Sequence, residues 1–230
     1  MKTHILAIGI LAIALVVTGA EPKSEVKDAI KKLENQSGYS WVFTPKTVGS
    51  EAAAKQGPIQ GKTQKDGTVW LKGTSGDNSF EAAAKGTKYA VNYAGEWMTV
   101  DEDDEATASI ARRLKAVKGP LETAGELLGK AGALKMEPAG LYSGDLTAEG
   151  AKELFGKLGK RAAEAEKAQG SIQFWVKDGL LTKYEYTLKG KITVGADKKE
   201  VDLSRTVTVE FKEVGTTQVT LPEELKKKLS

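Results

Sequence analysis

From Ser171 to Val194 the chain reads SIQFWVKDGLLTKYEYTLKGKITV, with apolar and polar residues alternating on both sides of one Asp178-Gly179 pair. Side chains on a strand point to opposite faces with a period of two, so this stretch is a hairpin with one apolar face. The loop length decides whether the two strands agree on that face. A two-residue loop pairs Val176 with Leu181 and Lys177 with Leu180, which mixes charged and apolar groups on both faces. A three-residue loop, Lys177-Asp178-Gly179, pairs Val176 with Leu180, Phe174 with Thr182 and Ile172 with Tyr184, and leaves Gln173, Lys183 and Glu185 outside. A slip of one residue turns every side chain over, so the pattern predicts the three-residue loop, with Gly179 in the left-handed conformation.

The next strand, VDLSRTVTVEF, continues the pattern with Val201, Leu203, Val207, Val209 and Phe211 on one side and Asp202, Ser204, Thr206, Thr208 and Glu210 on the other. Placing Val194 opposite Val201 sets Leu188 against Val207, Tyr186 against Val209 and Tyr184 against Phe211. In that register Gly190 faces Arg205, the one charged residue on the apolar side, and leaves room for its guanidinium. Three strands then share one broad apolar surface.

Upstream, Val26, Ala29, Ile30 and Leu33 follow the spacing of a helical stripe, with Ser24 as the expected N-cap and Gly38 as the stop. YSWVFTPK puts Tyr39, Trp41 and Phe43 on one side of a strand, and further strands follow between Gly-rich turns as far as EWMTV, the pattern of an antiparallel meander. The segment EAAAK occurs at Glu51 and Glu81 and is a strong helix former, but each copy is short and set in strand-like sequence. Each is therefore expected to be a strand edge or a single turn. Helices are predicted from Asp101, in DEDDEATASIARRLKAVK, from Pro120, in PLETAGELLGKAG, and from Thr147 to Ala168 with Ala151, Leu154, Phe155 and Leu158 inward. A short strand, ALKMEPAGLYSGDL, separates the last two.

Basic and acidic side chains number 34 and 31, a net charge of +3, which is too balanced for a nucleic-acid partner. Residues 1–20 place Lys2 before the apolar run Ile5 to Val17 and end in small residues, the layout of a secretory signal, with residues 21–230 as one domain. The run is shorter than the roughly 20 residues of a membrane-spanning helix. Val17-Thr18-Gly19 is similar to the end of a bacterial lipobox, but Ala20 stands where the acylated cysteine would be, so no lipid anchor is expected. The chain has no cysteine, and its one histidine, His4, lies in the signal segment. A periplasmic or secreted chain without thiol or imidazole has neither Ser-His-Asp nor Cys-His chemistry and lacks the usual zinc, copper and haem ligands. No metal, cofactor or enzymatic activity is expected.

Two apparent motifs dissolve on inspection. DEDDE, Asp101 to Glu105, has Ala106 and Arg112 where a calcium loop needs its sixth-position glycine and twelfth-position glutamate. GPIQGKT, Gly57 to Thr63, has three residues between its glycines where a phosphate loop has four, and reads as a turn. The basic end LPEELKKKLS reads either as a solvated last turn or as a contact for an anionic membrane surface.

The order of KGTKYAVNYAGEWMTV, LYSGDLTAEGAKELFGKL, IQFWVKDGLLTKYEYTL and RTVTVEFKEVGTTQVTLP resembles the LolA-like and LppX-like bacterial lipoprotein carrier superfamily. The resemblance implies an α+β fold, a curved antiparallel half-barrel with helices covering its concave face. It also implies a binding protein that holds a lipid or an acylated protein between sheet and helices, and a non-enzymatic monomer is expected. Trp41, Phe43, Phe174, Tyr184, Tyr186, Leu188, Val207 and Val209 would line the apolar cavity, and Arg205 is the candidate anchor for a ligand head group. The competing reading is a structural or protein-interaction module of the same fold with a filled core.

Overall fold

Alternating side chains need a sheet to sort them, and one sheet does so along the whole chain. The computed structural model describes residues 21–76, 78–158, 167–194 and 199–230. After helix α1 (Pro22–Glu34) come β1 (Gly38–Val48), the single turn α2 (Glu51–Ala54), β2 (Gln56–Gln64), β3 (Thr68–Ser75), β4 (Asn78–Lys85), β5 (Lys88–Tyr93) and β6 (Glu96–Val100). Helices α3 (Ala108–Lys115) and α4 (Pro120–Lys130) lead to β7 (Lys135–Glu137), β8 (Leu141–Asp145) and α5 (Ala148–Gly156). The chain closes with β9 (Gln169–Lys177), β10 (Leu180–Val194), β11 (Lys199–Lys212) and α6 (Glu223–Leu229).

The strands form one open antiparallel sheet of eleven, in the order β6-β5-β4-β3-β2-β1-β11-β10-β9-β8-β7. Two meanders meet at the central β1–β11 pair, so β6 and β7 occupy opposite edges. The connection between them has to cross about 48 Å of sheet at roughly 4.8 Å per strand, and α3 and α4 make that crossing. This topology puts helix over one face. α1 lies on β9 and β10, α5 packs beside it on the same strands, α4 rests against both, and α3 stands over β6. The result is the expected α+β half-barrel, with no helix among the described residues long and apolar enough to cross a membrane.

The hairpin reaches its single apolar face by another route than the expected loop. Asp178 and Gly179 both have positive φ, 54° and 71°, and form a two-residue turn that pairs Lys177 with Leu180 and Val176 with Leu181. The register then shifts between Leu181 and Lys183, so that Thr182 is an extra residue and Trp175 pairs with Lys183. This β-bulge corrects the parity that the short turn upsets, and Phe174 meets Tyr184 on the inner face. The Thr182 hydroxyl donates to the Trp175 carbonyl at 3.1 Å and holds the bulge. Trp175 itself points outward, under the Lys183 ammonium at 4.2 Å from the ring centre.

The β10–β11 register is displaced by two residues from the expected one: Leu188 pairs with Arg205, Gly190 with Leu203 and Tyr186 with Val207. An even displacement keeps every side chain on its face. It removes Gly190 from Arg205, and a Cβ at Gly190 would stand 2.9 Å from the Phe155 ring. The glycine therefore makes room for an aromatic side chain of α5, not for a guanidinium.

Several element boundaries also differ from expectation. α1 starts at Pro22 behind Glu21, with no side-chain cap from Ser24, and ends at Glu34 with Asn35 as its C-cap. The acidic run stays outside α3, because the Asp101 and Asp104 carboxylates accept from the backbone N–H groups of Asp103 and Ala106 and close local turns. ALKMEPAGLYSGDL splits into β7 and β8 around a 3-10 turn at Pro138–Gly140, and GPIQGKT lies inside β2. The first EAAAK holds α2 and the second lies in β4. α5 ends at Gly156, and the rest of the expected helix to Ala168 extends into 159–166, outside the described residues, as does the signal segment.

Candidate functional site

One row of inner-face residues runs across eight strands: Tyr142, Phe174, Tyr184, Val209, Phe43, Ile59, Gly73 and Phe80. Its burial divides the sheet in two. At the β8–β11 end Phe174, Tyr184 and Val209 are at most 1% exposed, and Leu188 and Val207 beside them are equally closed off. Val26, Ile30 and Leu33 of α1, Leu127 of α4 and Phe155 of α5 complete this cluster. The Tyr184 hydroxyl donates to the Pro120 carbonyl at 3.1 Å, and burial pushes its pKa far above the phenol range. Each such side chain contributes about 1.5–3 kcal/mol by burial, so this half serves as the packed core.

The β1–β5 half is built differently. Tyr39 and Trp41 of β1, Val69 and Leu71 of β3, Ala82 and Ala84 of β4 and Tyr89 of β5 line a half-open pocket of about 240 Å³, called the cavity below. Leu114 at the end of α3, with Val117 and Pro120 after it, lies on the other side. Small residues make the space. A Cβ on Gly61 would stand 2.1 Å from the Trp41 indole, so only glycine lets that ring lie across β2, where its Nε1 donates to Thr63 Oγ1 at 3.3 Å. At the end of the row Phe80 is 37% exposed, and Met98 on β6 is 44% exposed. Of the apolar residues singled out from the sequence, Trp41 lines this cavity. Phe43 and Tyr186 are half-buried beside the core, and Phe174, Tyr184, Leu188, Val207 and Val209 lie within it.

Arg205 lies farther along the inner face, between Thr47 on β1 and Leu188 on β10. It is half-buried, and its guanidinium donates to Gln56 Oε1 at 2.9 Å and Thr47 Oγ1 at 3.3 Å. Burial raises the pKa of Tyr186, and the positive charge of Arg205 opposes that rise.

Acidic and basic groups gather instead on the helices. Glu126 of α4 is held by Lys157 and by Lys118, which lowers its carboxyl to about 2. Lys130 joins Glu126 to Glu153 of α5. Tyr142 donates to Glu25 of α1, and that bond pushes the phenol up to about 12. These contacts tie the roof helices to one another and to the sheet. No group of three or more His, Cys, Asp or Glu that could hold a metal ion occurs among the described residues.

The outer face carries a separate apolar cluster. Leu221, Leu225 and Leu229 of the C-terminal segment pack on Ala83, Ala90, Trp70 and Trp97. Ala82 and Ala83 are neighbours on β4, so the alternation that sends Ala82 into the cavity sends Ala83 to α6. The basic end is thus a docked helix whose lysines face solvent.

No protein-family model matches the sequence, and no curated protein is similar to it at a significant level. Solved structures are similar. LprF from Mycobacterium bovis superposes with a TM-score of 0.50 at 11% identity, over 89% of this chain and 99% of LprF. The lipoprotein LppX of Mycobacterium tuberculosis gives 0.48 at 10% identity, over 87% and 98% of the two chains. A LolA superfamily protein from Nitrosomonas europaea gives 0.32 at 10% identity, over 90% and 97%. At these identities the likeness to LprF is one of fold.

Proposed function

We propose that this protein is an exported, non-enzymatic carrier that holds an acyl chain, from a lipid or an acylated protein, against the inner face of its half-barrel. The observation that carries this reading is the largely apolar, half-open pocket of about 240 Å³ between α3 and β1–β5. Drug-sized pockets run to roughly 300–1,000 Å³, so a space of this size suits part of one hydrocarbon chain. The resemblance in sequence order to LolA-like and LppX-like carriers supports the same reading. Residues 1–20 fit a cleaved signal, which agrees with a carrier exported to the periplasm or beyond that meets membrane surfaces transiently as a monomer.

The packed core under β8–β11 favours a second reading, an interaction module of the same fold with no ligand. Uptake separates the two. Protein purified from its own exported compartment is analysed by native mass spectrometry and titrated with a fluorescent fatty acid. The carrier copurifies with an acyl species and takes up the probe. Ala82→Trp, which fills the cavity from β4, abolishes most of that uptake while costing no more than about 1–3 kcal/mol of stability. Repeated isolation of empty protein that takes up no probe contradicts the carrier.

A further inference from the structure

We propose that the ligand is a single-chain anionic amphiphile whose head group is bound by Arg205 and whose tail runs along β1 into the cavity at Trp41. This rests on the carrier reading and adds the chemistry of the cargo. Arg205 shares the inner face with Leu203, Val207 and Leu188, all closed to solvent. A half-buried charge beside such side chains gains when an opposite charge meets it. Among the described residues Arg205 has no acidic partner, and its hydrogen bonds go to two neutral oxygens, of Gln56 and Thr47. The lysines at the cavity rim differ in this respect. Lys115 is paired with Glu102, and Lys118 with Glu122 and Glu126.

A guanidinium has five N–H donors and matches the two oxygens of a carboxylate or phosphate. With two directions committed to Gln56 and Thr47, others remain for such a group. The geometry also sets a length. Thr47, the strand partner of Arg205, lies six residues along β1 from Trp41, about 20 Å at roughly 3.4 Å per residue. Phe43, Ile59 and Tyr186 are half-buried along that interval and give it an apolar surface. An extended long-chain fatty acyl group matches the distance.

The test compares palmitate, hexadecanol and inorganic phosphate as competitors of a bound fluorescent fatty acid, on the full chain and its Arg205→Gln and Arg205→Lys variants. The expected result is that the unmodified protein prefers palmitate over hexadecanol by about tenfold to a hundredfold, the range for one charge-assisted contact. Arg205→Gln lowers palmitate to the level of hexadecanol and leaves hexadecanol unchanged, which also shows that the variant is folded. Arg205→Lys restores part of the preference. Equal binding of the acid and the alcohol, or a preference that survives Arg205→Gln, overturns the assignment while leaving the carrier intact. Competition by phosphate as strong as by palmitate overturns the amphiphile in favour of a free anion. Failure of both amphiphiles to bind overturns carrier and cargo together.

Discussion

Two glycines do the same steric work on opposite halves of the inner face. Gly61 lets Trp41 lie across β2 beside the cavity, and Gly190 lets Phe155 seat in the core. Gly190→Val should therefore overpack the covered half and lower stability by about 1–3 kcal/mol, measured as a lower urea midpoint. Glu126 supplies a pH-dependent contribution. Its carboxyl sits at about 2 in the fold against 4.5 ordinarily, so between those values the unfolded chain binds more protons. The stabilisation is complete above about pH 4.5 and is lost as pH falls toward about 2. Because the surrounding lysines are largely solvated, about 1 kcal/mol is the expected size. The drop in melting temperature from about pH 5 to about pH 2.5 should be smaller in Glu126→Gln than in the parent protein.

Among the elements, the β9–β10 hairpin depends on one supernumerary residue. Deleting Thr182 joins the two-residue turn to a bulge-free strand and sends Tyr184, Tyr186 and Leu188 outward. That deletion should abolish folding, whereas Thr182→Ala should cost only about 1 kcal/mol for its hydrogen bond, as read by circular dichroism melts. The same hairpin shows what alternation conveys. Period two tells which residues share a face, and that reading holds for β9, for β10 from Tyr184 onward and for β11, whereas at the start of β10 the buried residue is Leu181 and not the expected Leu180. It does not tell how a turn and a bulge divide the correction of parity, since either solution satisfies the pattern. Nor does it separate registers that differ by two residues, because both bury the same side chains. Helix ends were less legible, as at α3, where aspartates close their own turns ahead of the helix.

For the whole molecule, β6 and β7 at opposite sheet edges oblige the intervening helices to cross the inner face, and the roof follows from chain topology. Its unequal depth does not follow from any local pattern. The cavity is defined by what is small, Gly61, Ala82 and Ala84, and in the sequence the glycine reads as a turn and the alanines as a strand edge or single turn. The bulky side chains of β9–β11 stand out in the sequence because they are core. The most direct test of the carrier uses the four tryptophans, since Trp41 is at the cavity while Trp70, Trp97 and Trp175 belong to the outer face. In variants retaining one tryptophan each, a brominated fatty acid should quench Trp41 strongly and saturably and leave Trp175 unchanged. Quenching of Trp175 equal to that of Trp41, or no quenching of Trp41 at all, would contradict an acyl chain on the inner face.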